Sequence, residues 1–238
     1  MPLHLAFDDL DALRARTEVA AVRVSADAAE YEDGAVVPSG PWQPLTEEAG
    51  RGLTAAAGAP SSTVVEIVRP PAPVGPVLGD LAKPLGDARA EYLGQALAGP
   101  GMRTTTGHHR GGRLIGLHLD NWDKLPYDRK ASGRRRLALN LGPGDRYIVL
   151  GTVDAQAVCR AVHPDSYRRR HPHTDDYRVY VASGRPVRCV RIRLAPGEGY
   201  IAPTEYLLHD GSTEGRREPS AMAFWLGHWD RQVLPSLV

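Results

Sequence analysis

The stretch Arg136-Leu137-Ala138-Leu139-Asn140-Leu141-Gly142-Pro143-Gly144-Asp145-Arg146-Tyr147-Ile148-Val149-Leu150-Gly151-Thr152 decides the fold class. Two short runs, 136–141 and 147–152, flank Gly142-Pro143-Gly144-Asp145, residues that supply turn geometry. Each run is too short for a typical helix, and the glycines and proline between them stop helical propagation. The pair reads as strand, turn, strand.

Working outward, the same rhythm holds from residue 102 onward. Further candidate strands fall at 113–119, 177–182, 187–194, 205–209 and 220–227. Turn clusters such as Ala195-Pro196-Gly197-Glu198-Gly199 separate them, and no long segment has a helical period. The first hundred residues are instead rich in Ala, Pro and Gly, with helix-like segments at 44–57 and 85–97 and a β-branched strand at 63–68 ended by Pro70-Pro71. Ala98-Gly99-Pro100-Gly101 closes the second helix-like segment. This pattern predicts a mainly β protein with flanking helices, a double-stranded β-helix of the jelly-roll, cupin-like kind. It is expected to be a single domain over 1–238, with 1–101 a helical N-terminal buttress and 102–229 a jelly-roll core carrying the functional site. Residues 164–176, charged and histidine-rich, are expected to form an exposed insertion between strands.

Charged residues make up 24% and hydrophobic residues 42% of the 238, the balance of an ordinary globule. A net charge of +1 sets up no field toward nucleic acid or an anionic membrane, and Arg134-Arg135-Arg136 and Arg168-Arg169-Arg170 read as solvated faces. Two cysteines, Cys159 and Cys189, are too few for a disulfide framework and lack zinc-knuckle spacing. Met1-Pro2-Leu3-His4 has no basic n-region, and no run approaches the roughly 20 apolar residues that span a bilayer. The expectation is a cytoplasmic protein acting on a small-molecule substrate, with no nucleic-acid or membrane partner; a homodimer stays open.

Chemistry concentrates in His118-Leu119-Asp120 at the end of a candidate strand, where side chains at i and i+2 share a face. His209 ends another candidate strand in Tyr206-Leu207-Leu208-His209-Asp210-Gly211. Two histidines and one carboxylate on one face of an octahedral metal leave three positions open, which suits ferrous oxygenases. Arg216-Arg217 and the apolar run 221–226 follow, and an arginine buried there needs an anion. His171-Pro172-His173-Thr174-Asp175 is a rival chelating cluster on an expected loop, while His108-His109 alternate across any strand and read as structural. Trp122, two positions past Asp120, is a candidate wall of the substrate pocket, or otherwise a partly buried loop aromatic.

His-x-Asp, a long interval, His, and an arginine several residues later resemble the pattern of the Fe(II)/2-oxoglutarate-dependent oxygenase superfamily, over roughly residues 102–229. The resemblance implies Fe(II) held by His118, Asp120 and His209. It also implies 2-oxoglutarate bound through its distal carboxylate by Arg217, eight residues after His209, or by the adjacent Arg216. Asn140 and Tyr147 are further candidate donors to the cosubstrate, or plain sheet residues; Ser220 stands three residues past Arg217, where some members place a serine two past theirs. The implied activity is hydroxylation, desaturation or cyclisation of a small molecule such as an amino acid or biosynthetic intermediate, with release of succinate and CO2. Asp120 keeps the position that related halogenases vacate for chloride. The alternatives are a cupin-type iron oxygenase independent of 2-oxoglutarate and a cupin-like, non-catalytic ligand-binding protein.

Overall fold

A computed structural model describes residues 3–70, 87–108 and 111–238. It is mainly β, with eleven strands in two sheets among the described residues. The strands are β1 (His4–Ala6), β2 (Thr17–Val24), β3 (Val36–Pro44), β4 (Val64–Val68), β5 (Glu91–Ala98), β6 (Arg135–Pro143), β7 (Arg146–Asp154), β8 (Arg188–Leu194), β9 (Gly199–Ala202), β10 (Leu207–Ser212) and β11 (Ser220–Gly227). The helices are α1 (Leu10–Arg14), α2 (Glu47–Arg51), α3 (Ala155–Val162) and α4 (Thr174–Ala182). One sheet runs β1-β4-β9-β6-β11-β5 and the other β10-β7-β8-β2-β3.

The period of two along each strand sorts side chains into layers. On β6, Ala138 points to the space between the sheets while Leu137 and Leu139 join an outer cluster with Trp225, Trp229 and Leu234. On β7, Ile148 and Leu150 face inward, and Val149 faces outward toward Val158 of α3 and Tyr177 of α4. Three apolar layers result, and each fully buried Leu or Ile side chain contributes roughly 1.5–3 kcal/mol relative to exposure.

The N-terminal part departs from the helical buttress expected over 1–101. It supplies β1–β5 to both sheets, and its two α-helices have five residues each. In the segment 44–57, Pro44 ends β3, Thr46 caps α2 by accepting from the Ala49 N–H, and the chain leaves the helix after Arg51. The segment 85–97 is not helical where described: Leu85 and Gly86 lie outside the described residues, and Glu91–Ala98 is strand β5, paired along its length with β11. Ladder pairing there overrides the helix preference of Glu, Leu, Gln and Ala.

The C-terminal part shows the opposite correction at 177–182, expected as a strand. It lies in α4, started by a capping box between His173 and Asp176. Helix α3, capped by Asp154, and strand β9 were not expected at all. Residues 113–119 form isolated bridges rather than a strand, through Leu114, Leu117 and His118. The segment 164–176 connects the packed helices α3 and α4, tied by a 2.8 Å contact from Nε2 of His163 to Asp176. No helix of the described residues is long and apolar enough to cross a membrane.

Candidate metal centre

His118 and His209 are joined by their backbones. Each donates its N–H to the other's carbonyl, at 3.0 and 2.9 Å, so residues 116–118 extend the edge of β10 by one antiparallel bridge. Residues directly opposite in such a pair send their side chains to the same face. The two imidazoles accordingly meet with ring centroids 4.6 Å apart. Asp120 follows two residues later on that face, its N–H donating to the Thr204 carbonyl at 3.1 Å. Gly116 permits the approach: its φ is +69°, and a Cβ there would stand 2.5 Å from the Val36 carbonyl oxygen.

The three side chains form the one cluster among the described residues able to hold an ion, with donor atoms all within 4.8 Å of one another. Oδ1 of Asp120 lies 3.5 Å from Nε2 of His209 and 3.8 Å from Nε2 of His118. Atoms each about 2 Å from one ion lie no more than about 4 Å apart, and these two separations meet that limit. Nδ1 of His118 donates to the Gly116 carbonyl at 2.9 Å, and Nδ1 of His209 to that of Leu207 at 3.2 Å. Those bonds fix the tautomers and leave both Nε2 lone pairs directed inward. Burial, then the neighbouring His209, pushes the His118 imidazole down to about 3, so it is neutral, the ligand form. Burial works to raise Asp120, but Arg136 and then His209 hold it below the usual carboxylate range. Nε2 of His209 and Oδ2 of Asp120 are buried without a hydrogen-bond partner. Two orphaned acceptors within one cluster, beside the third side chain, fit a bound cation.

Beside the triad lies a cavity of about 300 Å³, lined by both sheets. Arg146 reaches it from β7, 5% exposed, and donates to Oγ1 of Thr105 at 3.2 Å. Among the described residues no carboxylate lies within ion-pair distance of Arg146, and burial lowers its pKa. Tyr200 on β9 faces the same space; its hydroxyl has no hydrogen-bond partner among the described residues, and burial raises its pKa. Asp210, next to His209, accepts from the N–H groups of Thr105 and Thr106 at 3.2 Å, which sets Thr105 against Arg146. Arg136 enters from β6, with Nη2 2.7 Å from Oδ1 of Asp120.

The other residues singled out in the sequence divide. Trp122 lines the cavity, 55% exposed, whereas Tyr147 borders it from the strand parity of β7 opposite to the inward Arg146 and Ile148. The Tyr147 hydroxyl, however, accepts from Arg216. Neither Arg216 nor Arg217 lines the cavity: Arg217 is exposed, and Arg216 packs over the Tyr147 ring at 5.0 Å, 3.8 Å from Asp145. Asn140 is saturated, donating to the Gly144 and Leu194 carbonyls at 3.0 Å and accepting from the Gly142 N–H and from Ser220, both at 2.9 Å. Asn140 and Ser220 therefore close the β6–β7 turn against β11 instead of meeting a cosubstrate. In the rival cluster, His173 caps α4 and lies 3.4 Å from Asp175. His108 lies 3.9 Å from Glu32, and His109 is outside the described residues.

Arg146, Tyr200 and Arg136 were missed by the sequence reading. For Arg146 a signal existed: it shares strand parity with Ile148 and Leu150, so an arginine stands in an inward-facing apolar series.

No protein-family model matches the chain, and no curated protein matches it in sequence.

Proposed function

We propose that this chain is a mononuclear non-haem iron oxygenase with 2-oxoglutarate as cosubstrate, built on a jelly-roll arrangement of its two facing sheets and acting on a small molecule. The observation that carries the reading is the combination of a buried His118, Asp120, His209 cluster with a buried Arg146 in the same chamber that has no carboxylate within ion-pair distance among the described residues. A buried guanidinium lacking a carboxylate is costly, and a guest that brings one offsets the cost.

His118, Asp120 and His209 would hold Fe(II), leaving the remaining positions open toward the chamber. Together with 2-oxoglutarate, the bound iron would supply oxidation of a substrate C–H bond coupled to loss of CO2 and formation of succinate. Arg146 takes the distal carboxylate through its planar fork, and the Tyr200 hydroxyl donates beside it. Asp210 holds Thr105, and Thr105 holds Arg146, so the anion site is oriented before its guest arrives. Ile148, Met222 and Phe224 wall the chamber and exclude water from the reacting groups.

The experiment is anaerobic titration with ferrous iron and 2-oxoglutarate, followed by the weak visible charge-transfer band of the chelated cosubstrate. The band should form with the unaltered protein and be lost in His118→Ala and in His209→Ala. Iron binding without the band removes 2-oxoglutarate from the proposal. Failure to bind iron removes the triad.

A further inference from the structure

The chamber holds a second guanidinium that the cosubstrate site does not use. Arg136 has one polar contact among the described residues, Nη2 to Oδ1 of Asp120, and its Nε is buried without a hydrogen-bond partner. Its Cζ lies over the Phe224 ring, 5.2 Å from its centre, within cation–π distance. A cation at the triad draws on the same Asp120 oxygen, since Oδ1 also faces His118 and His209 at 3.8 and 3.5 Å. One carboxylate would then serve both an ion and an arginine, leaving Arg136 short of negative charge.

The surroundings of Arg136 differ from those of Arg146. Leu93 and Leu97 of β5 and Trp122, two residues past Asp120, line the same chamber as Phe224. Leu97 and Trp122 are 76% and 55% exposed, so this side is the mouth, and an apolar guest there would cover side chains that otherwise face water. Charge sits at the metal end and apolar surface at the opening.

We propose that the substrate is an organic acid with an apolar body, its carboxylate on the free edge of Arg136 and its carbon skeleton along Phe224, Leu93 and Leu97 toward Trp122. This rests on the iron and 2-oxoglutarate reading for what is oxidised, while the docking itself rests on Arg136 and the mouth. An acid so held places the carbons nearest its carboxylate beside the triad.

The test is calorimetric titration of the anaerobic protein, loaded with ferrous iron and 2-oxoglutarate, using 3-phenylpropionate and octanoate against their primary amides. At least one acid should bind more tightly than its amide by on the order of tenfold, because the charged fork recognises a carboxylate and not an amide. Arg136→Leu should abolish that preference and leave amide binding unchanged. Where Arg136→Leu does not fold, Arg136→Lys decides: it keeps the charge, loses the fork, and should weaken the acid by several-fold while sparing the amide. No acid bound more tightly than its amide, or a preference indifferent to both variants, overturns the proposal. The charge-transfer band, recorded on the same samples, reports separately on the iron and 2-oxoglutarate reading. If the band is absent, the acid–amide comparison on the iron-loaded protein still decides the docking, and a protein that binds no iron removes the premise that frees Arg136 and overturns the proposal.

Discussion

A Cβ on Gly211 would stand 2.0 Å from Nη2 of Arg146, so the missing side chain at residue 211 is what lets this guanidinium lie across β10, two residues beyond His209. His209, the proposed metal ligand, and Gly211, whose missing side chain admits the guanidinium of Arg146 from β7, thus occupy neighbouring same-face positions of β10. Gly211→Ala should push the guanidinium aside, since the added methyl would also crowd Oγ1 of Thr105 at 2.5 Å. The expected outcome is a loss of 2-oxoglutarate affinity on the order of tenfold, about 1.4 kcal/mol, with ferrous affinity retained. Paired titrations of iron and cosubstrate check it; equal affinities in variant and parent would mean that Arg146 is not the anchor.

Arg146 and Arg217 make opposite predictions. Arg146→Leu should cost 2-oxoglutarate binding on the order of a hundredfold, about 2.7 kcal/mol, because a charge-assisted bidentate contact is removed. Arg217→Ala should leave it unchanged, because Arg217 is exposed and lines a different cleft with Glu218 and Asp145. Equilibrium dialysis with labelled 2-oxoglutarate separates the two, and the reverse ranking would restore the spacing-based assignment.

What the sequence disclosed follows from how local each feature is. His118 and Asp120 were legible because two residues on one extended segment share a face whatever the rest of the chain does. The convergence of His209 on them depends on a backbone bridge between distant residues; the sequence offered His209 as a strand-end candidate, and the resemblance to a known pattern strengthened it. Strand β5 was misread because Glu91-Tyr92-Leu93-Gly94-Gln95-Ala96-Leu97-Ala98 contains good helix formers, and its conformation comes from pairing with β11. Helix α4 was misread because Tyr177, Val179 and Val181 alternate as in a strand, while the cap that starts the helix lies upstream at His173. The resemblance put the cosubstrate's arginine at Arg217, eight residues past His209, whereas the arginine that lines the chamber from the inward parity of β7 is Arg146.

Gly116 joins the candidate metal site to the five-stranded sheet. Its positive φ disfavours any other residue, and a Cβ would meet the Val36 carbonyl oxygen at 2.5 Å, while the Leu117 N–H donates to that same oxygen at 2.8 Å. Gly116→Ala should force the segment away from β3, displace the carbonyl that orients His118, and cost about 2–4 kcal/mol of stability. Ferrous affinity should fall with it. Urea unfolding together with an iron titration checks the coupling; a variant as stable as the parent that binds iron normally would show that the close approach does not matter.

Glu198 sets part of the acid limit of the fold. Burial works to raise its pKa, but the Ala195 N–H, Arg16 and Arg69 outweigh burial and hold it below its ordinary value of 4.5. The carboxylate meets Arg16 at 2.9 Å, Arg69 at 2.7 Å and the Ala195 N–H at 2.8 Å. A depressed folded-state pKa means that the folded chain holds fewer protons than the unfolded one. The stabilisation is therefore complete above the unfolded value and is lost as pH falls through the folded one. Glu198→Gln should cost about 2 kcal/mol at neutral pH, the worth of hydrogen bonds to a charged group. It should also shrink the loss of stability as pH falls from neutral to below the ordinary carboxylate value of 4.5. Urea denaturation at both ends of that range measures the two effects, and a drop as steep in the variant as in the parent would move the acid sensitivity to other carboxylates.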